Sequence, residues 1–245
     1  HEFLPNSINE LEILADELKM TFLQVSERCK QMAEINPMLG KRGVRLGILL
    51  PELYKMQVKA IIKASISVYG KNQKEFPPEI MLPMVSSFKE VNLLKRLIDD
   101  VVAEINKEIS FPINYKLGVM VETPRAALKA GELAIISSFL SFGTNDLTQM
   151  TYGLSRDDSG TFMRDYLEKG IFPVDPFRSL DLDGVGELLK IASKKSRAAN
   201  PSIKIGICGE HGGDPESIDF CKKIGLDFVS CSPFRVPIAR IAAAQ

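Results

Sequence analysis

A chain of 245 residues, 45% hydrophobic and 25% charged, has the composition of an ordinary folded protein and is long enough for one sizeable core. Its 31 basic residues balance 31 acidic ones, so no global field argues for nucleic acid or an anionic membrane surface, and any anion site must be local. No apolar run approaches the roughly 20 residues that cross a bilayer, and residues 1–30 lack the order of a signal peptide. The cytoplasm is the expected location. Cys29, Cys208, Cys221 and Cys231 form no CxxC pair and no zinc-like spacing with histidine, so free thiols are expected. With His1 terminal, His211 is the one histidine placed for acid/base chemistry.

The first 40 residues form a helical lead-in. Leu11, Leu14, Ala15 and Leu18 fall at helix spacing, and Ser7 with Glu10 predicts a capping box. A second helix is expected over Phe22 to Ile35, stopped by Asn36-Pro37. Strand-like apolar runs then recur at Val44 to Ile48, Ile80 to Val85, Leu117 to Val121, Phe139 to Phe142, Ile203 to Cys208 and Phe228 to Cys231. Helix-period segments separate them, at Glu52 to Val68, Phe88 to Glu108, Pro124 to Leu133, Val185 to Ala199, Pro215 to Ile224 and Ile238 to Ala244. Alternating strands and helices predict an α/β fold with parallel pairing. Six βα units fit an open doubly wound sheet or part of an eight-stranded barrel. Residues 153–182, with Arg156 and Arg164, are long for a βα connection and read as an insertion over the site face.

Polar residues gather where the strands end. Glu122 follows one apolar run, and Ser141-Phe142-Gly143-Thr144-Asn145-Asp146 ends another. Two carboxylates at neighbouring strand ends suit magnesium, which takes one or two acids and leaves the rest of its octahedron to water and substrate. Either acid alone could instead cap the helix that follows. Gly143, Thr144 and Asn145 offer backbone N–H groups and an amide to an anion at a helix N-terminus, or form an ordinary glycine turn with an Asn cap. Cys208 ends the run from Ile203 and precedes Gly209-Glu210-His211-Gly212-Gly213. A thiol there can exchange a proton with a substrate carbon, though an isolated cysteine is better explained as a small buried hydrophobe. Cys231 carries the same ambiguity. Arg42, Arg45 and Arg156 could grip carboxylate or phosphate or simply lie solvated at the surface. Neither GxxxxGK[ST] nor GxGxxG occurs, which argues against a self-contained nucleotide site.

Together these residues resemble the phosphoenolpyruvate-utilising enzymes, most closely their dikinase branch. The resemblance lies in residues 36–43 (Asn36-Pro37 to Gly43), Gly118 to Arg125, Ser141 to Gln149, Gly206 to Gly213 and Ser230 to Pro237. The phosphotransferase enzyme I and phosphoenolpyruvate synthase branches share the Glu, Asn-Asp and Cys elements and rank second. They usually lack the Glu-His-Gly-Gly and Ser-Cys-Ser-Pro-Phe wording. The resemblance implies a (β/α)8 TIM barrel, here one domain over residues 1–245 holding about six of eight βα units. It implies Mg2+ on Glu122 and Asp146, substrate contacts from Glu122, Gly143, Thr144, Asn145, Asp146, Arg42 and Arg156, and Cys208 as the proton donor/acceptor at the methyl carbon of pyruvate.

The implied reaction is phosphoryl transfer between pyruvate enolate and a phosphohistidine on a separate swivelling domain, with an ATP-grasp domain elsewhere in the longer protein. His211 is not expected to be that phosphohistidine. The family carries two further substrate arginines on the first two barrel strands, so the chain reads as strands three to eight and is expected to bind phosphoenolpyruvate weakly or not at all and to be inactive by itself. Opening a barrel leaves unpaired edges, expected at Val44 to Ile48 and Phe228 to Cys231, which invite self-association. A homodimer is also expected, because the family dimerises through this barrel. The contrasting expectation is a non-catalytic fragment that keeps only that dimer surface.

Overall fold

The computed structural model describes residues 4–33, 36, 38–109 and 111–245. The chain divides into two compact units, residues 1–42 and 43–245. In the first, α1 (Ile8–Leu18) packs with α2 (Phe22–Met32), burying Ala15 and Val25. Ser7 Oγ accepts the Glu10 amide at 3.2 Å, but the Glu10 carboxylate returns to the Asn6 amide at 2.7 Å, one residue before the box that the spacing predicts. Thr21 and Gln24 make the complete capping box, on α2. The expected helix end at Ile35 and the stop at Pro37 lie outside the described residues, as does His1.

The second unit begins with a correction. Val44 to Ile48 is not a strand but lies in a short helix, α3 (Val44–Leu49), leading into α4 (Pro51–Tyr69). Val44 and Gly47 are its buried positions, spaced for a helix face, and Gly47 is a contact point: an added Cβ would sit 2.3 Å from the Tyr54 ring. Among the described residues five strands follow, one fewer than expected. They are β1 (Glu79–Leu82), β2 (Lys116–Val121), β3 (Phe139–Gly143), β4 (Lys204–Cys208) and the two-residue β5 (Phe228–Val229).

All five pair in parallel in sequence order. Right-handed crossovers that always step the same way put the helices connecting successive strands on one face, unlike the reversal of a doubly wound sheet. That face is the core, where Val119, Val121, Leu140, Phe142, Ile205 and Ile207 meet the helices. The sheet is open: among the described residues β1 and β5 are its two edges and do not pair. On the opposite face small and large residues alternate between neighbours. Phe139 fills the space over Gly118, and Phe228 the space over Gly206, the nearest atom of each ring 2.2 Å from where a Cβ would lie.

The helices between strands show ordinary local logic. α5 (Phe88–Asn106) starts at a Ser87/Glu90 capping box and buries Val91, Leu94, Ile98, Val101, Val102 and Ile105 along one stripe. The single helix expected over Pro124 to Leu133 is two, α6 (Pro124–Leu128) and α7 (Ala130–Ile136), broken at Lys129. α8 (Thr144–Tyr152) follows β3 directly. Residues 153–182 contain α9 (Met163–Glu168) and an aromatic cluster in which Phe172 meets Tyr152 and Tyr166 with ring centroids 5.3 and 5.1 Å apart. α10 (Val185–Ala199), α11 (Pro215–Lys223) and α12 (Val236–Ala244) complete the unit.

Candidate active site at the strand ends

β2, β3 and β4 are hydrogen-bonded neighbours, with Val121 opposite Phe142 and Gly143 opposite Cys208. Their C-terminal ends therefore bring Glu122, the Gly143–Asp146 turn and Cys208 to one side of the molecule. This grouping follows from strand order alone.

Glu122 is buried to 6% exposure, and its Oε1 accepts the Met84 amide at 2.5 Å. Met84 has φ 56, a left-handed conformation that a non-glycine residue adopts only where its surroundings enforce it. Next to it, the Thr123 hydroxyl donates to the Val85 carbonyl at 3.0 Å and accepts the Ala126 amide that opens α6. The end of β1 is thus hooked to the end of β2, and the hook fixes the carboxylate. Gly143 makes room on the other side, for a Cβ there would lie 2.5 Å from Glu122 Oε2.

Asp146 is half-buried in the first turn of α8, and its Oδ1 accepts from Gln149 Nε2 at 3.2 Å. Gln149 Oε1 in turn accepts the Arg156 amide at 2.7 Å. Both acids offer hard oxygen donors, and Glu122 sits in a notch that only glycine at 143 permits. Among the described residues no group of three or more His, Cys, Asp or Glu side chains could hold a metal. Two carboxylates fit magnesium, which draws its remaining ligands from water and substrate.

Cys208 is half-buried, with Sγ 3.4 Å from the Phe142 carbonyl oxygen and 3.5 Å from Met120 Sδ. Burial pushes its thiol pKa up, a Ser141 hydrogen bond opposes that, and the charges of Glu122 and Asp146 push it up further. That direction favours the protonated thiol over the thiolate. Cys231 instead packs with Ile218, Ala239 and Ala242, as a small hydrophobe does.

The turn residues hold the Cys208 loop. The Thr144 hydroxyl, fully buried, lies 3.0 Å from the Cys208 carbonyl oxygen, and Asn145 Oδ1 accepts the Glu210 amide at 3.3 Å. Gly209 has φ 87 and lies so close that an added Cβ would be 3.0 Å from Asn145 Oδ1. The Thr144 hydroxyl and Asn145 Oδ1 are therefore engaged within the protein, and Asn145 and Asp146 are half-buried residues.

Arg156 reaches the same loop, with Nη2 3.5 Å from Glu210 Oε1, and Arg235 approaches Glu210 Oε2 at 3.3 Å. A cavity of about 350 Å3 is lined by Arg156, Arg178, Glu210 and Arg235 among others, and by neither Glu122 nor Asp146. Arg42 is half-buried at the end of the first unit and is described with it. Arg45 lies on α3. Sequence reading placed Glu210 and His211 at this strand end, in the run that follows Cys208, but missed Met84 and Arg235 as parts of this neighbourhood.

The family described as PEP-utilising enzyme, PEP-binding domain, matches residues 7–245. The chain is 48% identical over 245 residues to the pyruvate, phosphate dikinase of Clostridium symbiosum, covering all of this chain and 28% of that protein. It is 51% identical over 249 residues to the chloroplastic pyruvate, phosphate dikinase of Mesembryanthemum crystallinum, covering all of this chain and 26% of that protein. The Rickettsia prowazekii (strain Madrid E) enzyme of the same name is 49% identical over 245 residues, with all of this chain and 28% of that one covered. The chain thus spans about a quarter of the length of these relatives. No helix among the described residues is long and apolar enough to cross a membrane. A solved citrate lyase from Burkholderia xenovorans LB400 gives a TM-score of 0.47 at 16% identity, covering 67% of this chain and 48% of that one. With a family match over nearly its whole length and relatives at about half identity, the chain belongs to the PEP-binding domain family of the PEP-utilising enzymes.

Proposed function

We propose that this chain forms the phosphoenolpyruvate/pyruvate site of a pyruvate, phosphate dikinase, where phosphoryl transfer links pyruvate enolate to a phosphohistidine on another domain. The observation that carries this reading is the placement of Glu122, Asp146 and Cys208 at the ends of three adjacent strands. Glu122 and Asp146 would hold Mg2+, which when bound stabilises negative charge on the enolate and carboxylate oxygens.

Cys208 then has a defined task. Its thiol gives its proton to the methylene carbon of the enolate, making the methyl group of pyruvate, and takes a proton back in the opposite direction. Burial that keeps the thiol protonated suits the donor role, and Met120 and Phe142 fix its position. The Asn145 amide and the backbone of Gly143 and Thr144 face the anion, with the α8 N-terminus adding its dipole. Arg42 and Arg156 are assigned to substrate oxygens, Arg156 exchanging or sharing its Glu210 partner. The phosphohistidine and ATP-grasp domains would be supplied by the longer protein, as a homodimer. Free thiols at all four cysteines suit a reducing compartment, and we assign the cytoplasm.

Calorimetry with Mg2+ and oxalate, an enolate mimic, tests the site. Saturable heat that requires Mg2+ and disappears in Asp146→Ala is expected, and absence of heat in the parent protein rejects the reading. Cys208→Ser tests the proton carrier, with loss of pyruvate methyl-proton exchange expected.

A further inference from the structure

His211 is fully buried and has no part in the chemistry above. Its Nε2 lies 2.9 Å from the Pro176 carbonyl oxygen, which can only accept, so Nε2 carries a proton. Its Nδ1 lies 2.7 Å from Thr144 Oγ1. That hydroxyl is also 3.0 Å from the Cys208 carbonyl oxygen. Burial favours the neutral ring, against the pull of Asp214, Glu210 and Asp175. A neutral ring protonated on Nε2 leaves Nδ1 as an acceptor, so the single Thr144 proton is shared between His211 and Cys208.

We propose that His211 is a positioning residue for Cys208, holding the Thr144 hydroxyl and through it the Cys208–Gly209 peptide against the first turn of α8. The proposal rests on reading Cys208 as the proton carrier. The other ties of the loop here run through Glu210: Asn145 takes its amide, Arg235 donates to its carbonyl at 3.3 Å, and Arg156 and Arg235 pair with its carboxylate. Among the described residues His211 alone hydrogen-bonds both Thr144 and the Pro176 segment. Its charged neighbours are Glu210 and Asp214 on its own turn, Asp175 beside Pro176, and Arg235, which pairs with Glu210. Anchored this way, the half-buried thiol stays against Met120 and Phe142 instead of turning to solvent.

Two variants separate the two ring nitrogens. His211→Gln sets an amide near the Nε2 position and keeps the Pro176 bond while losing Thr144; His211→Asn sets one near Nδ1 and keeps Thr144 while losing Pro176. Iodoacetamide labelling of Cys208, read by peptide mass at pH 7.5, should run roughly three- to tenfold faster in His211→Gln, the worth of one hydrogen bond. In His211→Asn it should stay within about twofold of the parent by the same measure. Equal rates in the two variants, or rates that follow their melting temperatures, overturn the proposal. Should the variants fail to fold, nitrogen NMR of the parent protein still decides: a proton on Nε2 supports it, and a ring protonated on Nδ1 alone overturns it. Neither readout uses catalysis, so the proposal can fail while Cys208→Ser still loses proton exchange, and the reverse.

Discussion

Glu122 and Gly143 occupy one space: a Cβ added at 143 would lie 2.5 Å from Glu122 Oε2 and 2.8 Å from Glu122 Cβ. Gly143 has φ −84 and ψ 81, within reach of other residues, so what requires glycine there is room for the carboxylate rather than backbone freedom. Gly143→Ala is expected to push the carboxylate aside, costing about 1–3 kcal/mol as overpacking does. Urea unfolding measures that cost, and the rise in melting temperature given by Mg2+ should shrink in the same variant. An alanine protein with unchanged stability and Mg2+ response would show that the notch is not needed.

Glu122→Gln keeps shape and keeps an acceptor for the Met84 amide, but removes the charge. Mg2+ affinity should fall at least about tenfold, equivalent to about 1.4 kcal/mol of lost interaction. The same change removes one of the charges that raise the Cys208 pKa. The pH–rate profile for labelling Cys208 should therefore move to lower pH in Glu122→Gln. A profile that stays in place would show that the two groups are not electrostatically coupled.

The strand ends were legible because their chemistry is local. An apolar run followed by an acid, or by glycine and an Asn-Asp pair, announces itself over six residues, and parallel order then brings Glu122, Asp146 and Cys208 together. Val44 to Ile48 misled because a five-residue apolar run has no period that separates a strand from a buried helix. The contact that decides it, the Tyr54 ring against Gly47, comes from the next helix. The partners of Glu122 and Cys208 were hidden for a related reason. Met84 reaches Glu122 across 38 residues, and Thr144 reaches Cys208 across 64. Neither pairing leaves a mark on local sequence.

Acid stability should carry a signature of His211. Burial lowers its pKa in the fold, so the unfolded chain binds the proton more tightly. The stability this gives is present above the unfolded value of about 6.5 and is lost as pH falls through that value toward the folded one. Urea midpoints should drop on acidification below that point, with a shallower drop in His211→Asn. Alkaline pH tests the opposite sign at Cys221, whose thiol is pushed up to about 12 by burial. Its contribution is present below the unfolded thiol value of about 8.5 and is lost as pH rises toward the folded one. Cys221→Ala should flatten that alkaline limb, and an unchanged slope would assign it to other groups.

The open sheet predicts association. β5 is a two-residue edge, and beside it Phe234, Ile238 and Ile241 are 93, 51 and 63% exposed. An unpaired edge flanked by exposed apolar side chains is a template for another chain. At the other edge a cavity of about 400 Å3 lies between β1 and α4, lined by Ile80 and Leu82 on one side and Tyr54 and Ile61 on the other. Sedimentation velocity on the 245-residue chain should therefore give a mass that rises with concentration. Ile238→Lys with Ile241→Lys places two charges on the exposed face of α12 and should return the chain toward monomer without changing its oxalate binding. A monodisperse monomer in the unmodified chain, with slow exchange of the β5 amides, would mean that the edge is already protected and that association does not arise from the open sheet.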